Sequence, residues 1–523
     1  MAAARESLLD SLAVIGEAIP GDGWVLGQRI RYLGDFGRWD EAEVLARGCR
    51  GEGSWWCSAL VGYVLHRSGR TVEALEAFSM ALGKMDRREA EAWKDPQVLV
   101  EYPVHRWLRN PGGLSREEAV DRFWLLADPL YLTPGNERLA EHYSRRFAAS
   151  LYAGSALTMA LPWGRPFEEL LLRYGFVAGW ERAFPRMGEA PDGSVVERFH
   201  PEGRGLLPPV EALERPGRLR EGVWRPQDDR PRSAGSPVPV PLVVEGAGQV
   251  AVLRRGPDLL VVAAYGTPQD TLLSERRSRA GTLEWVDAKG VHGSRPLPGP
   301  RDLGEPLTDT LAGLFLVPEA GNGPPMAALG SGGEGVLQLS APPGGYLLSL
   351  ELWSPGERWG ARVRRGVERR EIPPDVPSLS DLLLLRGGDD LPESLPEALP
   401  RMKPGTQLGV QEPLTVAWEI YGLGTSRAPM AFRLALEEAE PGLLRRALIR
   451  ARLMDRSPVI ALSWEEGSPG QPEPLFRAVD LDLPHLRPGD YVLRLEMDLP
   501  FRNPVSSELR LTVSPDASSS PSR

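Results

Sequence analysis

The chain reads as a multidomain protein with helices first and sheets second: N-terminal helical hairpins, a small α+β unit, then two β-sandwich modules. Three observations predict this. Small residues recur at helical-hairpin spacing in the first hundred residues. Period-two alternation dominates after residue 242. The nonapeptide Pro343-Gly344-Gly345-Tyr346-Leu347-Leu348-Ser349-Leu350-Glu351 returns 145 positions later as Pro488-Gly489-Asp490-Tyr491-Val492-Leu493-Arg494-Leu495-Glu496. In each copy a Pro-Gly turn feeds a strand with Tyr346, Leu348, Leu350 and Leu352, or Tyr491, Leu493, Leu495 and Met497, on one face. That face should pack a core and the other meet water. At 523 residues the chain exceeds what one core supports.

The first unit is residues 1–108. Gly62, Gly69, Ala74, Phe78 and Ala81 fall at the spacing of a tetratricopeptide repeat, and Gly37, Trp39, Ala42 and Ala46 form an earlier degenerate copy offset by 32 residues. Small residues let two helices cross closely while Phe78 fills the gap. Such hairpins need neighbours to bury their faces, and they offer a concave face to peptides. Cys49 ends one helix of this unit and Cys57 begins the next. An antiparallel hairpin would bring them within bonding distance, in an oxidising compartment; the other reading is two buried free thiols in the cytosol.

Residues 109–224 form the α+β unit. Ser115-Arg116-Glu117-Glu118 is a capping box, and Val120, Phe123, Trp124 and Ala127 mark an amphipathic helix stopped at Asp128-Pro129. A second helix starts near Asn136 and carries Leu139, Tyr143, Phe147 and Leu151 inward, with Glu141, Arg145 and Arg146 on a polar flank. The stretch 167–174 reads as a strand closed at Gly175.

A proline-rich linker at 225–241 leads to the first sandwich, 242–370, with strands at 249–253, 259–265, 282–286, 310–317, 335–339 and 346–353. An acidic, proline-rich linker at 371–404 precedes the second, 405–514, with strands at 414–420, 432–436, 491–497 and 509–513. Residues 443–453 fit helix or strand equally. The serine-rich tail 515–523 is expected to be disordered.

The block Asp121-Arg122-Phe123-Trp124-Leu125-Leu126-Ala127-Asp128-Pro129, with Asn136-Glu137, Tyr143, Arg145, Arg146, Arg173-Tyr174-Gly175 and Trp180-Glu181-Arg182, resembles the GWxTD domain of bacterial proteins over residues 115–185. Leu379-Ser380-Asp381-Leu382-Leu383 and Trp418-Glu419-Ile420-Tyr421 resemble the carboxy-terminal part of longer members. Where the name motif would stand, this chain has Pro162-Trp163-Gly164-Arg165-Pro166, without its Thr and Asp. The resemblance implies an uncharacterised, often exported bacterial protein with no established reaction; the two sandwich modules are expected to be immunoglobulin-like.

The net charge of −10, with arginines scattered among acids, argues against nucleic-acid binding. No apolar run reaches the roughly 18 residues that cross a bilayer. The amino terminus lacks the pattern of a secretory signal. Histidines 66, 105, 142, 200, 292 and 485 have no zinc-site spacing, and no Gly-x-Ser-x-Gly elbow occurs. Gly330-Ser331-Gly332-Gly333-Glu334-Gly335 reads as a hairpin connection. Trp353 and Trp359 flank a turn and either grip a ligand or cover the end of a sandwich.

One constellation has chemical potential: Asp128, Glu141 and Arg145 beside Trp124 would make a polar pocket if they converged. The simpler reading is a helix end plus an exposed i,i+4 pair. The sequence therefore predicts a non-enzymatic scaffold or binding protein of the bacterial envelope, without cofactor and with protein partners. Its competitors are an enzyme with a cleft between helical body and first sandwich, lined by Asp128, Glu141 and Arg145, and a cytosolic tetratricopeptide adaptor with reduced cysteines.

Overall fold

The computed structural model describes residues 2–50, 55–153, 165–175, 177–182, 195–199, 205–226, 232–233, 242–268, 283–286, 292–295, 309–388, 390–409, 412–425, 427–439, 458–470, 474–483 and 486–514. Trp163, residues 443–453 and the tail lie outside them.

The helical part runs α1 (Ala2–Ala18), α2 (Gly23–Asp35), α3 (Trp39–Arg47), α4 (Trp55–Arg67), α5 (Thr71–Leu82), α6 (Arg87–Lys94), α7 (Tyr102–Arg109), α8 (Arg116–Ala127), α9 (Glu137–Tyr152) and α10 (Arg165–Tyr174). From α1 to α5 each helix packs on the next. Gly37 and Gly69, at φ 71° and 81°, make the turns after α2 and α4 that a side chain would strain. A Cβ on Gly62 would lie 2.9 Å from the Phe78 ring, so the α4–α5 crossing depends on its absence.

The predicted capping box forms: Ser115 and Glu118 bond reciprocally at the start of α8. Asn136 caps α9, its Oδ1 accepting from Leu139 N at 2.9 Å. Helix α9 is buried on nearly every side. It lies on α2, α4 and α5, with Phe147 against Trp56 and Tyr63 (ring centroids 4.9 and 5.8 Å) and Tyr143 against Phe78 (5.5 Å). The chain's own helix α9 thus covers one side of α2, α4 and α5. The expected polar flank is buried too.

The expected strand at 167–174 is helix α10. Its apolar residues Phe167, Leu170, Leu171 and Tyr174 fall at i, i+3, i+4 and i+7, the spacing of a helix and not of a strand. Here Leu171 and Leu172 reach the core while Glu169 and Arg173 pair at i,i+4 on the outside. The strands of this unit are the hairpin β1 (Val177–Arg182) and β2 (Val195–Phe199), followed by α11 (Val210–Glu214).

The remainder is β-rich: β3 (Leu242–Glu245), β4 (Ala247–Arg255), β5 (Asp258–Gly266), β6 (Leu283–Val286), β7 (His292–Arg295), β8 (Leu311–Pro318), β9 (Met326–Ser331), β10 (Glu334–Ala341), β11 (Gly344–Ser354) and β12 (Trp359–Arg369). Then come β13 (Ser378–Leu379), β14 (Leu383–Arg386), α12 (Leu395–Ala398), β15 (Gln407–Leu408), β16 (Leu414–Tyr421), β17 (Pro429–Glu438), β18 (Ile460–Gly467), β19 (Leu475–Leu481), β20 (Gly489–Asp498) and β21 (Val505–Val513).

The two copies of the nonapeptide occupy equivalent places. One five-stranded sheet has the order β3-β12-β11-β8-β9 and the other β15-β21-β20-β17-β18. In each, the first strand runs parallel to its neighbour and the rest are antiparallel. Tyr346 Oη donates to Pro342 O at 2.8 Å and Tyr491 Oη to Arg487 O at 2.9 Å, the same bond four residues upstream. The first sheet packs on β10-β5-β4 around Leu314, Leu348, Val261 and Trp359. The second packs on β14, β16 and β19 around Trp418, Phe432, Leu434 and Leu495.

Residues 371–404 are not the expected free joint. They supply β13, β14 and α12, and Leu383, Leu385, Leu395 and Ala398 pack against the outer face of β4 and β5 through Ala251, Leu253, Val262 and Ala264. Composition misled here, because the prolines and acids lie around a short apolar run that carries the burial. Gln249, fully buried, clamps this interface. Its Nε2 donates to Leu384 O (2.9 Å) and Lys403 O (3.0 Å), and its Oε1 accepts from Leu384 N (2.6 Å). In the expected linker 225–241, Ser233 is buried, accepting from Arg138 and donating to Arg173 O.

Candidate functional site

Helix α8 ends because Pro129 cannot continue it, leaving carbonyls of its last turn without helical partners. Strand β12 supplies the donors. Trp359, Ala361 and Val367 face the sandwich core, so period two turns Arg362 and Arg364 toward the helices. Arg364 Nη1 donates to Leu126 O and Nη2 to Asp128 O, both at 2.7 Å. Arg362 Nη1 donates to Pro129 O at 2.9 Å. Cations at a helix C-terminus also oppose its dipole favourably.

The same alternation on β11 points Ser349 and Glu351 outward, opposite Arg364 and Arg362 respectively. Glu351 accepts from Ser349 Oγ (2.6 Å) and Leu132 N (3.1 Å), and Arg364 Nη2 lies 3.6 Å from it. The Trp224 ring lies under both guanidinium groups, at 5.1 and 4.7 Å, and Tyr131 lies 4.7 Å from Arg364. The face expected to meet water instead meets the helical body, and Leu347 joins the core of α7 and α8.

Three carboxyl groups share this dry space. Burial, with Glu137 and Glu351 nearby, pushes Asp128 well above the usual carboxylate range. Burial lifts Glu137 to about 8 and also raises Glu351, against the pull of Arg364. Burial, and then Arg364, lowers Arg362 to about 9. Glu351, Arg362 and Arg364 are at most 1% exposed. This junction is filled, and the expected cleft does not form among its described residues.

The candidate residues separate into different environments. Asp128 belongs to the junction. Glu141 pairs with Arg145 and, at 3.6 Å, with Arg138. Arg145 Nη1 donates to Leu172 O (3.0 Å) and Arg173 O (3.2 Å), capping α10. A Cβ on Gly175 would meet that guanidinium, which explains the glycine there. The Glu141–Arg145 pair is therefore buried, not the exposed pair expected. Burial pushes His66, which faces this group, down to about 4. Trp124 Nε1 donates to Lys94 O (2.8 Å), and its ring stacks near His142.

Cys49 and Cys57 are joined as a disulfide across the α3–α4 turn, with Cα atoms 5.6 Å apart. Trp359 is buried in the core of the first sandwich and Trp353 packs with Leu130 and Val243 at the junction, so neither stands exposed beside the turn. An open cleft of about 510 Å³ between the sandwiches is lined by Glu245, Gly248, Thr267, Lys403, Thr406 and Glu412. There Lys403 is already ion-paired with Glu412. Among the described residues no group of three or more His, Cys, Asp or Glu is placed to hold a metal ion, and no helix is long and apolar enough to cross a membrane.

Sequence reasoning missed Glu137, Glu351, Arg362, Arg364 and Trp224. Charged residues alternating with apolar ones in a strand read as a solvated face. The usable signal was Arg362-Val363-Arg364 in the segment that directly follows the repeat.

No protein-family model and no curated protein matches the chain. Among solved structures it is similar to a putative beta-galactosidase from Bacteroides fragilis at 11% identity and TM-score 0.17, over 65% of this chain and 40% of that one. It is also similar to red sea bream transglutaminase (11%, TM-score 0.15, 51% and 31%) and to a tetra-tandem repeat from the extending region of a large adhesion protein (9%, 0.15, 52% and 68%). The chain spans less than half the length of the first two. At these scores the likenesses assign no activity.

Proposed function

We propose that the chain is a non-enzymatic scaffold of the bacterial cell envelope, related to GWxTD-domain proteins, that binds protein partners through its β modules. The observation that carries this reading is the junction itself: Arg362 and Arg364 tie the helical body to the first sandwich and fill the space where a catalytic cleft would stand. Helix α9 packs on α2, α4 and α5, and on this reading the partners take the sheet edges. β9 and β18 end their five-stranded sheets and carry exposed Leu329 and Leu462; such edges accept a strand from another chain. The Cys49–Cys57 bond favours an oxidising compartment.

A photo-crosslinking residue placed at Leu329 or Leu462 in the native host tests this. The expected result is one defined envelope partner from an edge position and none from the control position Tyr102. Saturable turnover by the purified chain on an ester, glycoside or peptide panel would overturn the non-enzymatic reading. Two free thiols in protein from the native host would remove the envelope placement.

A further inference from the structure

We propose that the junction between the helical body and the first sandwich is a proton-operated latch, closed while one proton is held among Asp128, Glu137 and Glu351 and loosened when that proton leaves. The argument starts from charge. Asp128 comes from the end of α8, Glu137 from the first turn of α9, and Glu351 from β11, and all three are buried. Facing them are the two guanidinium groups of β12, Arg362 and Arg364. Tyr131 and Thr133 from the α8–α9 connection complete the surroundings. Further out, Glu245 of β3 faces Arg362 and Arg225, with Glu221 beside it.

Three carboxyls against two guanidiniums balance only if one carboxyl keeps its proton. The geometry indicates which one. Glu351 accepts two hydrogen bonds and lies beside Arg364. Asp128 accepts from Leu130 N and also faces Arg364. Glu137 has the weakest claim on a cation, and burial holds it protonated up to about pH 8. Its ionisation would leave an extra negative charge in a buried space, a cost that burial makes large. Admitting water relieves it, and water enters only if α8 and α9 lift from β11 and β12. Each side also has a hydrophobic core of its own, so each can persist after separation, although Val317 and Leu347 must then leave the cluster they share with α7 and α8.

Small-angle scattering of the full chain from pH 6 to pH 9.5, with far-ultraviolet circular dichroism on the same samples, tests the latch. The expected result is a larger radius of gyration above about pH 8 with unchanged dichroism, and no expansion in Glu137→Gln, whose neutral side chain needs no proton. A radius independent of pH, or equal expansion in wild type and variant, overturns it. Should Glu137→Gln fail to fold, infrared spectroscopy of the wild type decides. A protonated-carboxyl band present at pH 6 and lost by pH 9.5 in step with the expansion supports the latch, and its absence at pH 6 overturns it.

Discussion

Replacing Arg364 by methionine removes the best-placed link between the two halves while keeping most of the side chain's bulk, so little cavity cost is added. The lost interactions are two charge-assisted bonds of 2.7 Å to Leu126 O and Asp128 O and one of 3.2 Å to Ser349 Oγ. The change also strips Glu351 of a cation 3.6 Å away. Removing one member of a buried pair costs about 3–5 kcal/mol, because the remaining charge stays uncompensated. The expected loss is in that range, read by urea unfolding with tryptophan fluorescence and circular dichroism. A double variant, Arg364→Met with Glu351→Gln, should cost less than the sum of the two single changes by about 1.5 kcal/mol or more. An Arg364→Met cost below about 1 kcal/mol, or strict additivity, would refute the reasoning that this cation balances buried acids.

Gln249→Leu should destabilise the contact between the sandwiches by about 2–4 kcal/mol, since it deletes three hydrogen bonds in a dry interface; hydrogen exchange in residues 383–386 would report it. Tyr346→Phe and Tyr491→Phe should each cost about 1 kcal/mol, and a marked difference between them in calorimetry would mean that the two corners are not equivalent. Gly62→Ala forces a methyl to within 2.9 Å of Phe78 and should lower the stability of the helical body by about 1–3 kcal/mol in thermal melts. Stability should also depend on pH with a defined sign. Glu137 is raised from 4.5 to about 8, so between those values the folded chain holds a proton that the unfolded chain has released. Stability therefore falls as pH rises through that window and levels off above it. A thermal midpoint that climbs from pH 5 to pH 8 would contradict this.

Local chemistry was readable without a structure wherever it acts within one element. The Ser115–Glu118 box, the Asn136 cap and the Asp128-Pro129 stop depend on neighbours three or four residues away, and they stand where the spacing placed them. Strand β12 was missed because its alternating Arg362-Val363-Arg364 puts arginines on the face that the helical body covers, and β19 because its polarity is mixed. Residues 167–174 were misread although Phe167, Leu170, Leu171 and Tyr174 fall at i, i+3, i+4 and i+7 and Glu169 with Arg173 at i,i+4, which is helical spacing. The candidate pocket failed for a different reason. Glu141 and Arg145 share a helix, but the cap that Arg145 makes on α10 and the place of Ser233 beneath Arg138 depend on segments far away in the chain.

The repeated nonapeptide marks the boundary between the two kinds of information. Its period-two pattern alone determined that Tyr346 and Tyr491 would lie on the core face of two equivalent strands, because alternation and a Pro-Gly turn are properties of the strand itself. The residue that ends each copy is also the same, yet Glu351 is fully buried while Glu496 keeps 38% of its side chain exposed. In the second copy Arg494, where the first has Ser349, lies on the open face beside Glu496 and Glu508. In the first, the helical body covers that face, and Arg364 together with Leu132 N meets the carboxylate. Which copy would be covered depended on packing between segments more than two hundred residues apart, and only the tertiary structure decided it.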